Sequence, residues 1–172
     1  MVASIVQILA ALLLTALAFP PAAAQGLVDR SRREDIVRMQ DEDPAMAAAL
    51  RKARLTLDDF LRTAASPPAN ASAFAVKVPV SDDRDTEYFW IVPFSRDGDF
   101  FKGRLGNMPR LVRHVREGQE IRFSKSQIVD WMYVDVARRR MHGNFTACAL
   151  LTKEKKEEAA KFRKLYGLEC DV

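Results

Sequence analysis

A group of polar residues near the middle of the chain could converge on one site. Asp130, Tyr133, His142 and Asn144 lie on either side of a predicted turn. Apolar neighbours flank Asp130, so burial would raise its pKa and suit it to general acid–base catalysis. This hypothesis describes a hydrolase-type enzyme that uses Asp130 in a pocket beside Trp131 and Tyr133. In the alternative, which the sequence favours, Asp130 accepts backbone N–H groups at a kink and Asn144 stabilises the neighbouring turn.

Other catalytic and metal-binding arrangements find little support in the sequence. His142 and Cys148 would share one face of a regular strand about 20 Å apart, too far for a nucleophilic pair. The 2 histidines lack cysteine or carboxylate neighbours at ligand spacing, so no metal site is predicted. A glycine-rich phosphate loop and a serine nucleophile elbow are also missing from the sequence. We therefore expect no cofactor.

Arginine clusters are the more tangible candidate for a binding surface. Arg138 to Arg140 lie together in one predicted turn, and a second set recurs at helical spacing between Arg110 and Arg116. Two basic patches could bind an acidic protein or polymer, whereas the simpler reading is a solvated face that keeps the protein soluble. The candidate binding residues are Asp130, Trp131, Tyr133, Arg138, Arg139, Arg140, His142 and Asn144.

An antiparallel hairpin would position these side chains. Apolar runs at 128–134 and 141–151 flank a polar, basic hexapeptide at 135–140, which is the pattern of two strands joined by a longer loop. Trp131 and Tyr133 share one strand face, while Ile128, Met132 and Val134 share the other. Because both faces carry large side chains, we expect this hairpin in the core of the sheet and not at its edge.

The hairpin sequence also resembles a known family. The run IVDWMY at 128–133, followed by GNFT at 143–146, resembles the DUF2314 family of bacterial proteins. Segments at 53–60, 74–77 and 88–90 precede it in the order that this family shows, so the resemblance covers roughly residues 43–151. It implies a family of unknown function with no catalytic residues to transfer. The basic loop at 137–140 departs from the short glycine-containing turn of the family.

The N-terminus is typical of a secretory signal peptide. Residues 1–25 contain no charged side chain, and an apolar stretch from Ile5 to Phe19 precedes Pro20, Pro21 and three alanines. This pattern predicts cleavage after Ala24, with a retained anchor as the alternative. The mature protein would then be periplasmic or secreted, without a stable membrane span.

Charge and cysteine content fit an exported protein. The 27 basic and 23 acidic residues give a net charge of +4, a mild excess. In an exported protein this favours anionic envelope components as partners over nucleic acid. Cys148 and Cys170 would meet an oxidising compartment and are expected to pair, tying a C-terminal helix to the last strand. The alternative is a buried Cys148 with a free Cys170.

The rest of the pattern predicts an α+β domain. Asp43 followed by Pro44 predicts the start of a helix that apolar spacing extends to about Thr63. Period-two segments then predict a strand at 74–80 with Lys77 on its wetter face, and a central strand at 88–94 that a turn at 97–98 joins to a return strand at 100–105. A short strand is predicted at 119–123. A charged segment after Thr152 predicts a terminal helix that ends at Gly167.

Together these elements predict a strongly bent antiparallel sheet of about five strands between an N-terminal and a C-terminal helix, with an SH3-like barrel as one form. The chain divides into a signal peptide at 1–24, a flexible lead at 25–42, the DUF2314-like domain at 43–151 and a C-terminal helical extension at 152–172. The sequence specifies no activity. It favours a non-catalytic, exported binding or inhibitor-type module of the bacterial envelope over the hydrolase.

Overall fold

The computed structural model describes residues 43–170, so the predicted signal peptide and flexible lead lie outside the described part of the chain. The described residues form an α+β fold, as predicted, with three α-helices and one six-stranded sheet. In chain order the elements are α1 (Pro44–Ala65), β1 (Ala71–Ser81), β2 (Thr86–Asp97), β3 (Phe100–Leu105), β4 (Glu120–Ser124), β5 (Asp130–Asp135), β6 (Arg140–Gly143), α2 (Phe145–Leu151) and α3 (Lys156–Tyr166).

The strands pair antiparallel in the order β4-β3-β2-β1-β5-β6. Because β4 and β6 stand at opposite ends, the sheet is open, and the SH3-like barrel is not formed. The sheet also has one strand more than expected. Within residues 43–170, no helix has the length and apolar character needed to cross a membrane.

Helix α1 begins where the sequence predicts. The Asp43 carboxylate accepts a hydrogen bond from the Ala45 N–H at 2.8 Å, and Pro44 occupies the first turn. Lys153 lies 2.8 Å from the same carboxylate and, by its hydrogen bond, lowers the pKa of Asp43. The apolar face of α1 covers the sheet, where the Phe60 ring stacks on Trp131 at a centroid distance of 4.8 Å.

The core lies between α1 and the central strands. Val76 and Val78 on β1 and Phe89 and Ile91 on β2 are fully buried, and each contributes about 1.5–3 kcal/mol by leaving water. The prediction of a central strand at 88–94 is confirmed, since β2 pairs with both β1 and β3. The wetter face predicted for Lys77 is wrong. Lys77 is buried, and its ammonium lies against Thr146 of α2.

The β2–β3 hairpin turns at Gly98, as predicted, with a positive φ of 63°. The segment between β3 and β4 is an irregular crossing and not a short helix, so the stripe of arginines that a helix would have formed there is absent. Its backbone is held by the buried carboxylate of Glu87, which accepts hydrogen bonds from the N–H groups of Arg110 and Leu111. These bonds to a distant carboxylate replace the internal bonds of a helix.

The prediction that residues 141–151 form the second strand of the hairpin is largely wrong. β6 has only 4 residues, and the apolar run then continues as helix α2. Gly143 and Asn144 mark the change, with φ values of 78° and 53°. β6 is also an edge strand, contrary to the expectation of a core hairpin.

A C-terminal strap, residues 167–170, covers the outer edge of β6. The Met141 N–H donates to the Gly167 carbonyl at 2.8 Å, and Met141 forms a parallel bridge with Leu168. Gly167 ends α3 in the left-handed conformation, as the sequence predicts. The predicted disulfide joins Cys148 and Cys170. It ties the strap to α2, however, and not to a strand.

Candidate functional site

The hairpin contains a fully buried carboxylate, that of Asp130. Its side chain is fully shielded from solvent and accepts hydrogen bonds from the Trp131 N–H at 2.8 Å, the Phe145 N–H at 3.3 Å and the Thr146 N–H at 2.9 Å. The Thr146 hydroxyl donates a further bond at 2.7 Å. Backbone amides therefore satisfy this carboxylate, as the alternative interpretation of Asp130 predicted.

Lys77 completes this buried network. Its Nζ donates to Thr146 Oγ1 at 2.7 Å and lies 4.5 Å from the centroid of the Trp90 ring. Burial lowers the pKa of Lys77 to about 8, while the nearby Asp130 charge opposes the shift. Burial likewise raises the pKa of Asp130, against the Lys77 charge and the Thr146 hydrogen bonds. The network joins β1, β5 and α2 in the interior of the protein.

An aromatic cavity of about 300 Å³ opens above the hairpin, and Asp130 does not line it. Its walls include the rings of Phe60, Trp131, Tyr133, His142 and Phe145. Tyr133 stacks on His142 with centroids 4.6 Å apart, and Phe145 meets Trp131 edge-on at 5.3 Å. Such a cavity can take an apolar or planar group between rings. Asp130 is fully buried and lies outside this cavity. It therefore cannot act there as the acid–base group that the hydrolase hypothesis requires.

The predicted residues Trp131, Tyr133 and His142 are thus brought together, whereas Asn144 has a local role. The Asn144 backbone N–H donates to the Trp131 carbonyl at 2.8 Å, and its side-chain amide donates to the Met141 sulfur at 3.4 Å. Asn144 does not line the aromatic cavity. It holds the turn between β6 and α2.

The arginine turn is partly neutralised within the protein. Arg138 lies 2.7 Å from the Asp135 carboxylate, which also accepts the Arg138 backbone N–H at 3.0 Å. These two bonds lower the pKa of Asp135 to about 2. Arg140 pairs with Glu169 at 2.6 Å. Among the described residues Arg139 has no ion-pair partner. The predicted patch of three arginines therefore leaves one unpaired cation for a binding protein or polymer.

A second concavity, the helical groove, lies between α1, α2 and α3. Its volume is about 750 Å³, and its lining is mainly alanine together with the Cys148–Cys170 disulfide. Lys52, Phe145 and Glu169 line both the groove and the aromatic cavity, so the two lie next to each other, and together they are called the concave face. Sequence reasoning missed the groove because one of its walls, α2, was predicted to be a strand.

The described part of the chain contains no cluster of side chains that could bind a metal ion. Between residues 43 and 170, no three His, Cys, Asp or Glu side chains are grouped closely enough to hold an ion. The concave face instead combines aromatic rings, small apolar side chains and charges at its rim. These features define a small α+β domain with an extended concave face.

This domain belongs to the DUF2314 family. The family, described as uncharacterized proteins conserved in bacteria, matches residues 43–170 and so takes in α3 and the C-terminal strap. The chain is 35% identical over 119 residues to the uncharacterized protein YegJ of Escherichia coli strain K12, an overlap of 69% of this chain and 75% of YegJ.

A second relative is a putative ankyrin repeat protein of Neisseria meningitidis serogroup B. It is 29% identical over 98 residues, which are 55% of this chain and 38% of that protein. The chain therefore matches well under half of the length of this relative. No solved structure matches the chain.

Proposed function

We propose that the protein is an exported, non-catalytic binding module of the bacterial envelope, and that it binds through its concave face. The observation that carries this proposal is the separation of the concave face from the buried Asp130 network. The face supplies shape, aromatic rings and rim charges, which are the features of a binding site. The carboxylate best placed for acid–base catalysis is held beneath it by backbone amides.

The partner is an acidic envelope protein or polymer. Basic side chains lie along the concave face, with Lys156 and Arg163 on α3, and Arg139 stands on the neighbouring turn. A negatively charged partner would associate faster. Its charge would also distinguish it from other proteins with apolar surfaces. The mild positive net charge of the chain favours the same class of partner.

Export is supported by the N-terminal sequence and by the disulfide. An apolar stretch followed by small residues precedes the domain. Disulfides persist in oxidising compartments such as the periplasm and are rare in the cytosol. A binding module with one disulfide suits the periplasm.

Affinity capture from an envelope extract tests the binding proposal. The bait is the mature chain, and the variants are Ala160→Trp in the groove, Thr63→Trp at the rim of the aromatic cavity and Arg139→Ser on the turn. Ala65→Trp is the matched control, since Ala65 is an exposed alanine of α1 outside the concave face. We expect an acidic partner that the wild type and the control retain and that at least one concave-face variant loses. Identical partner lists for all baits, or no partner, would contradict the proposal.

The localisation is tested separately by intact mass. Protein recovered from the periplasm should begin at Gln25 and contain no free thiol under non-reducing conditions. A cytosolic protein that retains residues 1–24, or one with two alkylatable cysteines, would contradict export.

A further inference from the structure

Strands β3 and β4 have one buried side and one exposed side. Phe101 on β3 and Phe123 on β4 are buried and belong to the core that α1 covers. Because side chains alternate along a strand, their neighbours point to the opposite side of the sheet, and these neighbours are exposed. The exposed set, called the cationic face, consists of Phe100, Lys102, Arg104, Glu120 and Arg122.

Two cations stand directly opposite each other on the cationic face. Lys102 and Arg122 are partners in the antiparallel register, so their Cβ atoms lie about 5 Å apart on the same side of the sheet. Arg104 follows on that side, about 7 Å along the strand from Lys102. Like charges placed directly opposite each other destabilise a sheet. A bound anion would offset this repulsion, because it attracts both cations.

The guanidinium of Arg122 is already held in place. Its Nε–H donates to the Asp97 carboxylate at 3.1 Å, and its central carbon lies 3.9 Å from the centroid of the Phe100 ring. Within residues 43–170, the two terminal nitrogens of Arg122 have no hydrogen-bond partner. Arg122 therefore presents a fixed pair of donor groups, which matches two oxygens of one phosphate.

The other two cations of this face are unpaired. Neither Lys102 nor Arg104 forms an ion pair with any residue of the described chain. Two neighbours can accept hydrogen bonds from hydroxyl groups: Glu120 is the register partner of Arg104, and Ser95 on β2 is the register partner of Lys102. The surface thus offers donors for phosphate oxygens beside acceptors for hydroxyl groups.

We infer that the cationic face binds a phosphate-bearing polysaccharide. One phosphate lies on the donor pair of Arg122, and the next lies between Lys102 and Arg104. Sugar hydroxyl groups donate to Glu120 and Ser95. None of these residues lines the concave face, so the inference adds a second binding surface and does not depend on the proposed function.

Other polyanions fit this face less well. Single-stranded nucleic acid gains affinity by stacking its bases on aromatic rings, whereas Phe100 already carries the Arg122 guanidinium. A membrane surface would be held by apolar side chains that enter the lipid, and Phe100 is the single apolar member of the cationic face. Phosphate groups on a hydroxyl-rich chain use every polar group of the face.

Dextran phosphate is the probe for this inference, and unmodified dextran is its uncharged control. By isothermal titration of the purified mature chain we expect dextran phosphate to bind, more weakly as salt is added, and dextran not to bind. Lys102→Ser combined with Arg104→Ser should weaken the binding of dextran phosphate at least about tenfold. Arg122→Lys keeps the charge but removes the paired donors, and should weaken binding about fivefold or more.

A matched pair of substitutions controls for net charge. Arg54→Ser combined with Lys164→Ser removes the same charge from exposed positions on α1 and α3. This control should change the binding of dextran phosphate less than about twofold, because the removed charges lie outside the cationic face. Thermal melts should show that all variants fold, since each substitution is at an exposed position.

Several results would overturn the inference. They are no binding of dextran phosphate, an equal loss in the control pair, and binding that survives both sets of changes on the cationic face. Tighter binding of a single-stranded DNA oligonucleotide would assign the face to nucleic acid, and tighter binding of phosphatidylglycerol vesicles would assign it to a membrane surface. Ala160→Trp, which fills the helical groove, should bind dextran phosphate like the wild type, so failure here leaves the proposed function standing.

Discussion

Replacing Trp131 with alanine would remove the central anchor of the aromatic cluster. The Trp131 side chain is only 8% exposed. Its ring stacks on Phe60 at 4.8 Å and on Tyr133 at 6.3 Å and meets Phe145 edge-on at 5.3 Å. Its indole N–H donates to the Ala53 carbonyl at 3.2 Å, which links β5 to α1.

The cost of Trp131→Ala follows from this burial. Truncating a buried tryptophan costs about 3–5 kcal/mol, because the apolar contacts disappear and a cavity remains. The lost aromatic pairs place Trp131 near the upper end, since each contributes about 0.5–1.5 kcal/mol beyond its burial. A typical domain has a total stability of about 5–15 kcal/mol, so the variant should be marginally folded.

Urea unfolding followed by circular dichroism would measure this loss. Trp90→Ala is the control within the same sheet, because Trp90 is only half-buried and contacts the Lys77 ammonium. We expect Trp90→Ala to cost about 1–2 kcal/mol, less than half of the loss at Trp131. A Trp131→Ala protein as stable as Trp90→Ala would refute the assignment of Trp131 as the anchor between α1 and the sheet.

Three further changes test other parts of the fold. Replacing both Cys148 and Cys170 with alanine should cost about 3 kcal/mol in thermal melts, and an unchanged melting temperature would contradict a stabilising strap. The folded chain releases the Lys77 proton near pH 8 and the unfolded chain near 10.5, so the unfolded state binds more protons between these values. The free energy of unfolding of the wild type relative to Lys77→Met should therefore rise with pH there, by up to about 1.4 kcal/mol per unit; a flat difference in urea titrations would show an ordinary lysine. Gly143→Ala should lose at least about 2 kcal/mol by chemical denaturation, because φ is 78° and the new Cβ would strike the Trp131 carbonyl oxygen; wild-type stability would show that the turn can relax.

Short sequence motifs whose effect depends only on neighbouring residues predicted the structure well. Asp43 before Pro44 predicted the start of α1, because a capping carboxylate and a missing N–H both suit a first turn. Gly98 predicted the β2–β3 turn and Gly167 the end of α3, because both positions need a positive φ. The resemblance to DUF2314 was confirmed over a longer stretch than expected, up to Cys170.

Signals that depend on distant partners were misleading. The apolar run at 141–151 could form a strand or a buried helix, and periodicity does not separate the two over such a short length. Lys77 occupied a polar position in an alternating strand, yet its side chain is buried against Thr146 of α2, 69 residues further along the chain. The candidate site was predicted in part. Trp131, Tyr133 and His142 face one cavity, whereas the groove arises from three helical faces that only the tertiary fold brings together.

The strap that covers β6 follows all six strands in the chain and is therefore synthesised after them. Until Gly167 and Leu168 reach the sheet, β6 exposes an unpaired edge, and exposed edges are templates for pairing between chains. The chain is therefore most prone to self-association late in its maturation, after the six strands have formed and before Cys170 is joined to Cys148. Oxidation of the two thiols to the disulfide ends this interval, because the bond holds the strap over the edge of β6. Aggregation of the newly made chain should accordingly depend on how fast the two thiols are oxidised.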